Sequence, residues 1–272
     1  KDGETVRLIA PSGEFLALGT VMLETEEIKI KKLNGATIID WGDGFVEDIS
    51  NQSTYAHTYD TTGKYCAKIY GNFSTLPSNA FENNKYLYSI KLPSSIYSIS
   101  RYCFNGCSGL FSIEFSGTTV QIGERAFYNC TSIKSIDLKN ITKLGSYAFY
   151  GCSSINSITF NKPVGLGGNT FENCISLEYV EFIGKPSFYG YEFKGCTALK
   201  IVKISSPIKA FVSYGDNFPT NTAIIVPYSL LNSYKTDTNW ETNASQIDAY
   251  AMASTIDDIN TQLTEIIEGQ GV

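Results

Sequence analysis

The sequence predicts a mainly β chain: a small N-terminal β-sandwich, then a right-handed repeat solenoid with a C-terminal cap and a short terminal helix. Three observations predict it. Phenylalanine recurs at Phe81, Phe104, Phe127, Phe149, Phe171 and Phe193, at spacings of 23, 23, 22, 22 and 22 residues. The stretch 1–72 lacks this period and carries short β-prone runs broken by Gly and Asp. Near the end, Ile256, Ile259, Leu263 and Ile266 recur every three or four residues. A period of this length marks a solenoid, because no single repeat can bury its apolar face alone and stacking makes one continuous core.

The first 72 residues show strand character at Val6–Ala10 and Glu27–Lys31, followed by the stretches Ala36–Gly44 and Gly63–Ile69, short strands with Gly and Asp turns. Alternation is clearest in Glu27–Lys31. The elements Trp41-Gly42-Asp43-Gly44, His57-Thr58-Tyr59 and Gly63-Lys64-Tyr65, in that order, resemble the PKD-type immunoglobulin-like domain. That resemblance implies a β-sandwich over residues 1–72. Asp40 and Asp43 supply oxygens that calcium favours. They equally suit a turn, in which Asp accepts backbone hydrogen bonds. His57 is either a catalytic imidazole or a packed strand-end residue.

Residues 73–247 form the predicted solenoid and its cap. Three residues after each anchor stands Cys107, Cys130, Cys152, Cys174 or Cys196, with Asn84 in the first unit. An apolar residue follows at six, nine and eleven positions, for example Ile133, Ile136 and Leu138. The cysteine column therefore points inward as a ladder of small buried thiols. Disulfides along it are a second reading, since stacked coils lie only about 5 Å apart. Cys103 sits in the alanine column beside its anchor, and Cys66 lies outside the repeats. Phe218 reads as a seventh, degenerate anchor.

This repeat closely resembles the leucine-rich repeats of BspA-like bacterial surface proteins, where a Phe anchor, a Cys and a short strand recur every 22 or 23 residues. The resemblance implies a surface-exposed adhesion or protein-interaction protein. Its partner would be a protein or glycan ligand on another cell or matrix, and its location extracellular or at the cell surface. The chain opens on Lys1 with no leader, as a processed form would.

A strand alternates its faces. If Ile136 and Leu138 point inward, Ser135 and Asp137 point outward. The outward residues therefore form two columns, of which the ligand-binding candidates are Ser135, Asp137, Ser157, Thr159, Tyr179, Glu181, Ile201 and Lys203. Such a face is where solenoids bind partners. The bland alternative is a solvated sheet surface. Glu114 and Asp137 fall on adjacent coils, at about the carboxylate separation of a retaining glycosidase. An exposed sheet offers nothing to raise one of their pKa values, so catalysis is not expected.

Residues 219–247 read as the cap: a last strand at Ala223–Pro227, a short helix with Ser229 as N-cap, and Trp240 over the open end. This stretch resembles the closing segment of such arrays. Residues 248–272 read as an amphipathic helix and tail. Ile256, Ile259, Leu263 and Ile266 form a coiled-coil-like seam too short to be stable alone. It either docks back on the solenoid or joins chains into a homo-oligomer. The second possibility supports an alternative function, as a structural or receptor-binding component of a phage tail or virion.

Composition narrows the rest. Charged residues make up 18% and the net charge is −6, which gives no electrostatic footprint for nucleic acid. No run approaches the length of a transmembrane span. The one histidine, His57, rules out clustered His sites and leaves the Ser and Cys residues of the solenoid without a His partner in their own module. Neither a phosphate loop nor a G-x-S-x-G elbow is present. The chain is therefore expected to be no enzyme, with no cofactor and no metal.

Overall fold

A computed structural model describes residues 11, 13–22, 27–72, 74–117, 120–213 and 218–250. The predicted strand Val6–Ala10 and the seam Ile256, Ile259, Leu263 and Ile266 lie outside the described residues.

The first six strands are β1 (Phe15–Met22), β2 (Glu27–Lys31), β3 (Ala36–Asp40), β4 (Val46–Asp48), β5 (Thr54–Thr58) and β6 (Gly63–Gly71). In β2 burial alternates, with Ile28 and Ile30 fully covered, as the sequence pattern requires. β2 and β5 form an antiparallel ladder of their own. The solenoid then contributes a shorter set of strands, β7 (Thr75–Leu76), β9 (Ser98–Ile99), β11 (Val120–Ile122), β12 (Ile141–Leu144), β14 (Val164–Leu166), β16 (Pro186–Phe188) and β18 (Phe211–Val212). A second set comprises β8 (Leu87–Leu92), β10 (Ser112–Phe115), β13 (Ser157–Phe160), β15 (Tyr179–Phe182), β17 (Ile201–Ile204) and β19 (Ala223–Pro227), followed by β20 (Ile247–Tyr250).

The shorter set stacks into one parallel seven-stranded sheet. The second set splits in two. One part has the order β10-β8-β1-β6-β3-β4, because β1 pairs antiparallel with β8. The other has the order β13-β15-β17-β19-β20. The N-terminal strands thus extend a solenoid sheet, and Ile28, Trp41 and Phe81 share one continuous buried cluster.

The anchors make the spine. Successive rings of Phe81, Phe104, Phe127 and Phe149 stack at 5.0 Å, nearly coplanar. Phe171, Phe193 and Phe218 continue the stack at 5.4, 5.7 and 5.5 Å. Each buried ring contributes about 1.5–3 kcal/mol through lost water contact alone. Beside the rings lie the thiols. Each donates to the carbonyl of the preceding anchor: Cys107 to Phe81, Cys130 to Phe104, Cys152 to Phe127, Cys174 to Phe149 and Cys196 to Phe171, at 2.9–3.2 Å. The first coil has no preceding anchor, and there Asn84 reaches the carbonyl of Lys29 in β2 instead. All seven cysteines are free, six of them buried. Burial pushes Cys107 and Cys152 up to about 12 and holds Cys103, Cys130 and Cys174 well above the ordinary thiol value. They are packing groups with no thiolate to offer.

Each coil turns its corner through left-handed backbone. Two residues before the anchor stand Asn79, Tyr102, Arg125, Tyr147, Asn169 and Tyr191, all with φ between 51° and 63°. Two residues after it Asn and Gly alternate: Asn83, Gly106, Asn129, Gly151, Asn173, Gly195. The alternation is steric as well as conformational. A Cβ on Gly151 would come within 2.3 Å of Asn129 Oδ1 in the coil below, and Gly106 and Gly195 face Asn83 and Asn173 in the same way.

At the far end Trp240 stacks on Phe218 at 6.1 Å and meets Tyr234 edge-on. Both aromatics are buried and close the core. The short helix of the cap, α1 (Leu231–Lys235), follows a 3-10 turn over Tyr228–Leu230. Ser229 does not cap it, as the sequence led one to expect: Leu230 holds the N-cap position with no side-chain bond. The 3-10 turn supplies the entry instead and leaves Ser229 inside it.

Candidate interaction face

The outward columns assemble where the strands are laddered. Ser89 faces Ser112, and Lys91 faces Glu114 with a 2.8 Å ion pair. On the second sheet Ser157, Tyr179 and Ile201 align, as do Thr159, Glu181 and Lys203. Between these blocks lies the coil that carries Ser135 and Asp137. No ladder pairing joins Ser135–Leu138 to either neighbour among the described residues. Asp137 explains the break. Its Oδ1 accepts the Lys139 amide at 3.0 Å, a local turn that competes with strand pairing. A regular ladder would also have set its charge directly beside Glu114, an unfavourable cross-strand pair.

The break opens a notch. Ser135, Ile136, Asp137, Lys139, Ser157 and Thr159 line a shallow cavity of about 280 Å³. Four predicted site residues thus converge on it, with Ser135, Asp137 and Ser157 exposed. The other four lie to one side. Glu181 Oε1 takes Lys203 Nζ at 3.2 Å and Ser205 Oγ at 3.2 Å, while Oε2 takes the Tyr179 hydroxyl at 3.2 Å. Burial, reinforced by the Glu181 charge, raises the Tyr179 phenol above its usual range. Lys203 and Ile201 are buried at 8% and 6% exposure. Tyr179, Glu181 and Lys203 form a tied, mostly covered network, whereas the notch presents exposed groups held by local contacts: the Ser157 hydroxyl donates to Asn156 Oδ1 at 3.3 Å, and Lys139 Nζ lies 3.9 Å from Asp137 Oδ2.

The N-terminal candidates Asp40, Asp43 and His57 all make local contacts. Asp40 Oδ1 accepts Gly42 N and Asp43 Oδ1 accepts Phe45 N, both at 3.0 Å, which is the turn reading. His57 Nε2 lies 2.6 Å from Asp43 Oδ2, and its ring is sandwiched between Trp41 and Phe45. Burial works to raise the Asp43 pKa, but the Phe45 amide and the His57 ring outweigh it and hold the carboxyl below its usual value. Among the described residues no three His, Cys, Asp or Glu side chains converge as a metal ion would require. No helix among them is long and apolar enough to cross a membrane.

One surface escaped the sequence reading. The corner column places Arg125 between two tyrosines, its guanidinium 4.7 Å from the Tyr147 ring and 5.6 Å from Tyr102. Arg125 Nη1 also donates to the Tyr102 hydroxyl at 2.7 Å. Alongside, Tyr128 and Tyr150 stack at 4.6 Å. Tyr and Arg are the residues that dominate binding hot spots. The sequence carries a signal for it, since Tyr102, Arg125 and Tyr147 hold one fixed offset from the anchor and Tyr128 and Tyr150 another.

No curated protein matches the chain. Among solved structures it is similar to a leucine-rich repeat protein from Bacteroides ovatus, at 28% identity and TM-score 0.47, over 64% of this chain and 46% of that one. It is similar to the T. pallidum leucine rich repeat protein at 19% identity and TM-score 0.45, over 66% of this chain and 78% of that one. A third likeness, to the pneumococcal vaccine antigen PcpA, has 17% identity and TM-score 0.40, over 68% of this chain and 40% of that one. The chain thus spans less than half the length of the first and third. At the level of repeats the match is direct: residues 74–200 fit the model of the BspA type leucine rich repeat region, in six copies.

Proposed function

We propose that the chain is a non-enzymatic extracellular interaction protein that binds a protein or glycan ligand on another cell or matrix through the strand face of its solenoid. Leucine-rich repeats generally serve as protein-interaction modules, and the six repeat copies matched over residues 74–200 support this reading. The observation that carries the choice of face is the notch, which interrupts an otherwise laddered surface among the described residues. Ser135, Asp137, Ser157 and Thr159 form its centre, and Tyr179, Glu181, Ile201 and Lys203 form its flank. Fixed hydroxyls and charges on a rigid sheet orient a ligand at little entropic cost.

The adhesion role and the surface location rest on the repeat resemblance. The PKD-like reading of residues 1–72 rests on the Trp41, His57 and Tyr59 cluster, where the Tyr59 hydroxyl donates to the Trp41 carbonyl at 2.9 Å. In this reading residues 1–72 brace the solenoid, residues 73–247 bind, and residues 248–272 form a tail. A panel of extracellular-matrix proteins and surface glycans tests the proposal. Binding retained by Ser157→Arg for every ligand detected would reject this face.

A further inference from the structure

The seven-stranded sheet turns one column outward: Ser98, Gln121, Lys143, Gly165, Ser187 and Phe211, paired in register from β9 to β18. Gly165 alone in this column has no side chain. Glycine inside a strand is destabilising relative to alanine, so its presence there calls for a reason. Elsewhere in the solenoid the reason is space. A Cβ at Gly123, Gly145 or Gly167 would come within 2.4–2.7 Å of backbone in the coil before. At Gly165 a Cβ would meet nothing within 4 Å, and φ lies outside the left-handed range. Neither packing nor backbone conformation requires this glycine. The missing side chain leaves a cavity of about 490 Å³ on the outer face, lined in part by Thr142, Lys143, Ser146, Gly165, Gly167 and Tyr189. That volume is in the range of small-ligand sites.

We propose that this cavity is a saccharide subsite, which takes one pyranose ring bearing a carboxylate. The Tyr189 ring, 53% exposed, supplies an apolar wall. The C–H groups of a pyranose carry partial positive charge and suit the negative face of such a ring. Tyr189 is also held in place: its amide donates to the buried Glu192 carboxyl, and the Phe211 ring meets it edge-on at 6.1 Å. Thr142 and Ser146 supply hydroxyls that both donate and accept, as sugar hydroxyls require. Lys143 supplies the charge. It is exposed and has no ion pair among the described residues, and no carboxylate lines the cavity. A chain of net charge −6 thus presents an unpaired cation here, which selects an anionic sugar over a neutral one. A peptide fits less well. β14 is paired on both sides, by β12 and β16, so the floor has no free strand edge for a peptide backbone. The cavity lies on a different sheet from the notch and does not depend on it.

An array of uronate- and sialate-bearing oligosaccharides, each beside its carboxyl-reduced counterpart, tests this with the full chain. The parent should bind acidic members and hold their reduced counterparts roughly tenfold more weakly. Absence of binding to every acidic member, or equal binding of acidic and reduced forms, would overturn the proposal. Gly165→Val separates site from structure. Its Cβ enters open space, so the variant should unfold at or above the parent's urea midpoint and lose the binding. Retained binding, or a lowered midpoint, would overturn the assignment. Tyr189→Ala should weaken acidic and reduced forms alike, whereas Lys143→Met should weaken the acidic form alone. An unchanged preference in Lys143→Met would contradict the role of the ammonium. Ser157→Arg, in the notch, should leave the binding intact, and loss there instead would assign the saccharide to the notch. A short acidic peptide that bound more tightly than every saccharide and was released by Gly165→Val would overturn the proposal in favour of a protein partner.

Discussion

Glu192 makes the sharpest stability prediction. It occupies the column of Ala80, Cys103, Ala126, Ala148 and Thr170, where every other coil has a smaller side chain. It has no exposed surface. Oε1 accepts the amides of Tyr189 and Gly190, while Oε2 has no partner among the described residues. Burial raises its pKa from 4.5 to about 7, and the amides only partly offset that. A carboxyl whose folded pKa lies above its unfolded value binds its proton more tightly in the folded state. Its charge therefore costs nothing below about pH 4.5, and the cost grows as pH rises to about 7 and is constant above. At 1.36 kcal/mol per unit, the full cost is about 3 kcal/mol. Glu192→Gln keeps the acceptor and removes the charge. Urea denaturation at pH 4.5, 6 and 8 is the assay, read as the shift in midpoint at unchanged slope. The variant should match the parent at pH 4.5 and exceed it by about 3 kcal/mol at pH 8. An equal gap at both pH values, or a less stable variant at pH 8, would refute the buried-charge reasoning.

Three further outcomes follow from the packing. A thiol reagent should label one cysteine, Cys66, in the native protein and all seven after unfolding, since the other six are buried; native labelling of a ladder cysteine would contradict the inward column. Gly151→Ala should cost about 1–3 kcal/mol, because its Cβ meets Asn129 Oδ1 at left-handed φ. In an Asn129→Gly background that cost should shrink, and a double-mutant cycle showing simple additivity would sink the steric pairing. Trp240→Ala should destabilise by about 3–5 kcal/mol in thermal or urea unfolding, because it uncovers Phe218 and the end of the core; a loss within 0.5 kcal/mol would mean that the end is closed by other groups.

The repeat skeleton was legible because identical side chains at fixed intervals leave little choice of register. Phe81 to Phe218 and the cysteine ladder lie where the column argument put them, and Trp240 stacks on Phe218 at the end that the solenoid needed to close. Other features left a fainter trace. The seven-stranded sheet is built from strands of two to four residues, such as Ser98–Ile99, too short for alternation to show. At the break over Ser135–Leu138 the Lys139 amide donates to Asp137 Oδ1, a local bond that competes with the ladder and leaves no mark on the hydrophobic pattern. The joining of β1 to β8 is a contact across about 70 residues of chain and belongs to tertiary structure. Of the candidate face, the columns were readable from strand alternation. That half of it would gather around a notch and the other half be tied up with Glu181 was not, because both depend on side-chain geometry between coils.

The most direct test of the functional account sets two faces against each other with one ligand taken from the binding panel. Ser157→Arg fills the notch, and Gln121→Arg places the same side chain on the exposed face of the seven-stranded sheet. Surface plasmon resonance on both, each first shown to unfold like the parent, should give at least a tenfold weaker affinity for Ser157→Arg and an unchanged one for Gln121→Arg. Equal affinities for the two variants, or loss confined to Gln121→Arg, would contradict the strand face as the site of recognition.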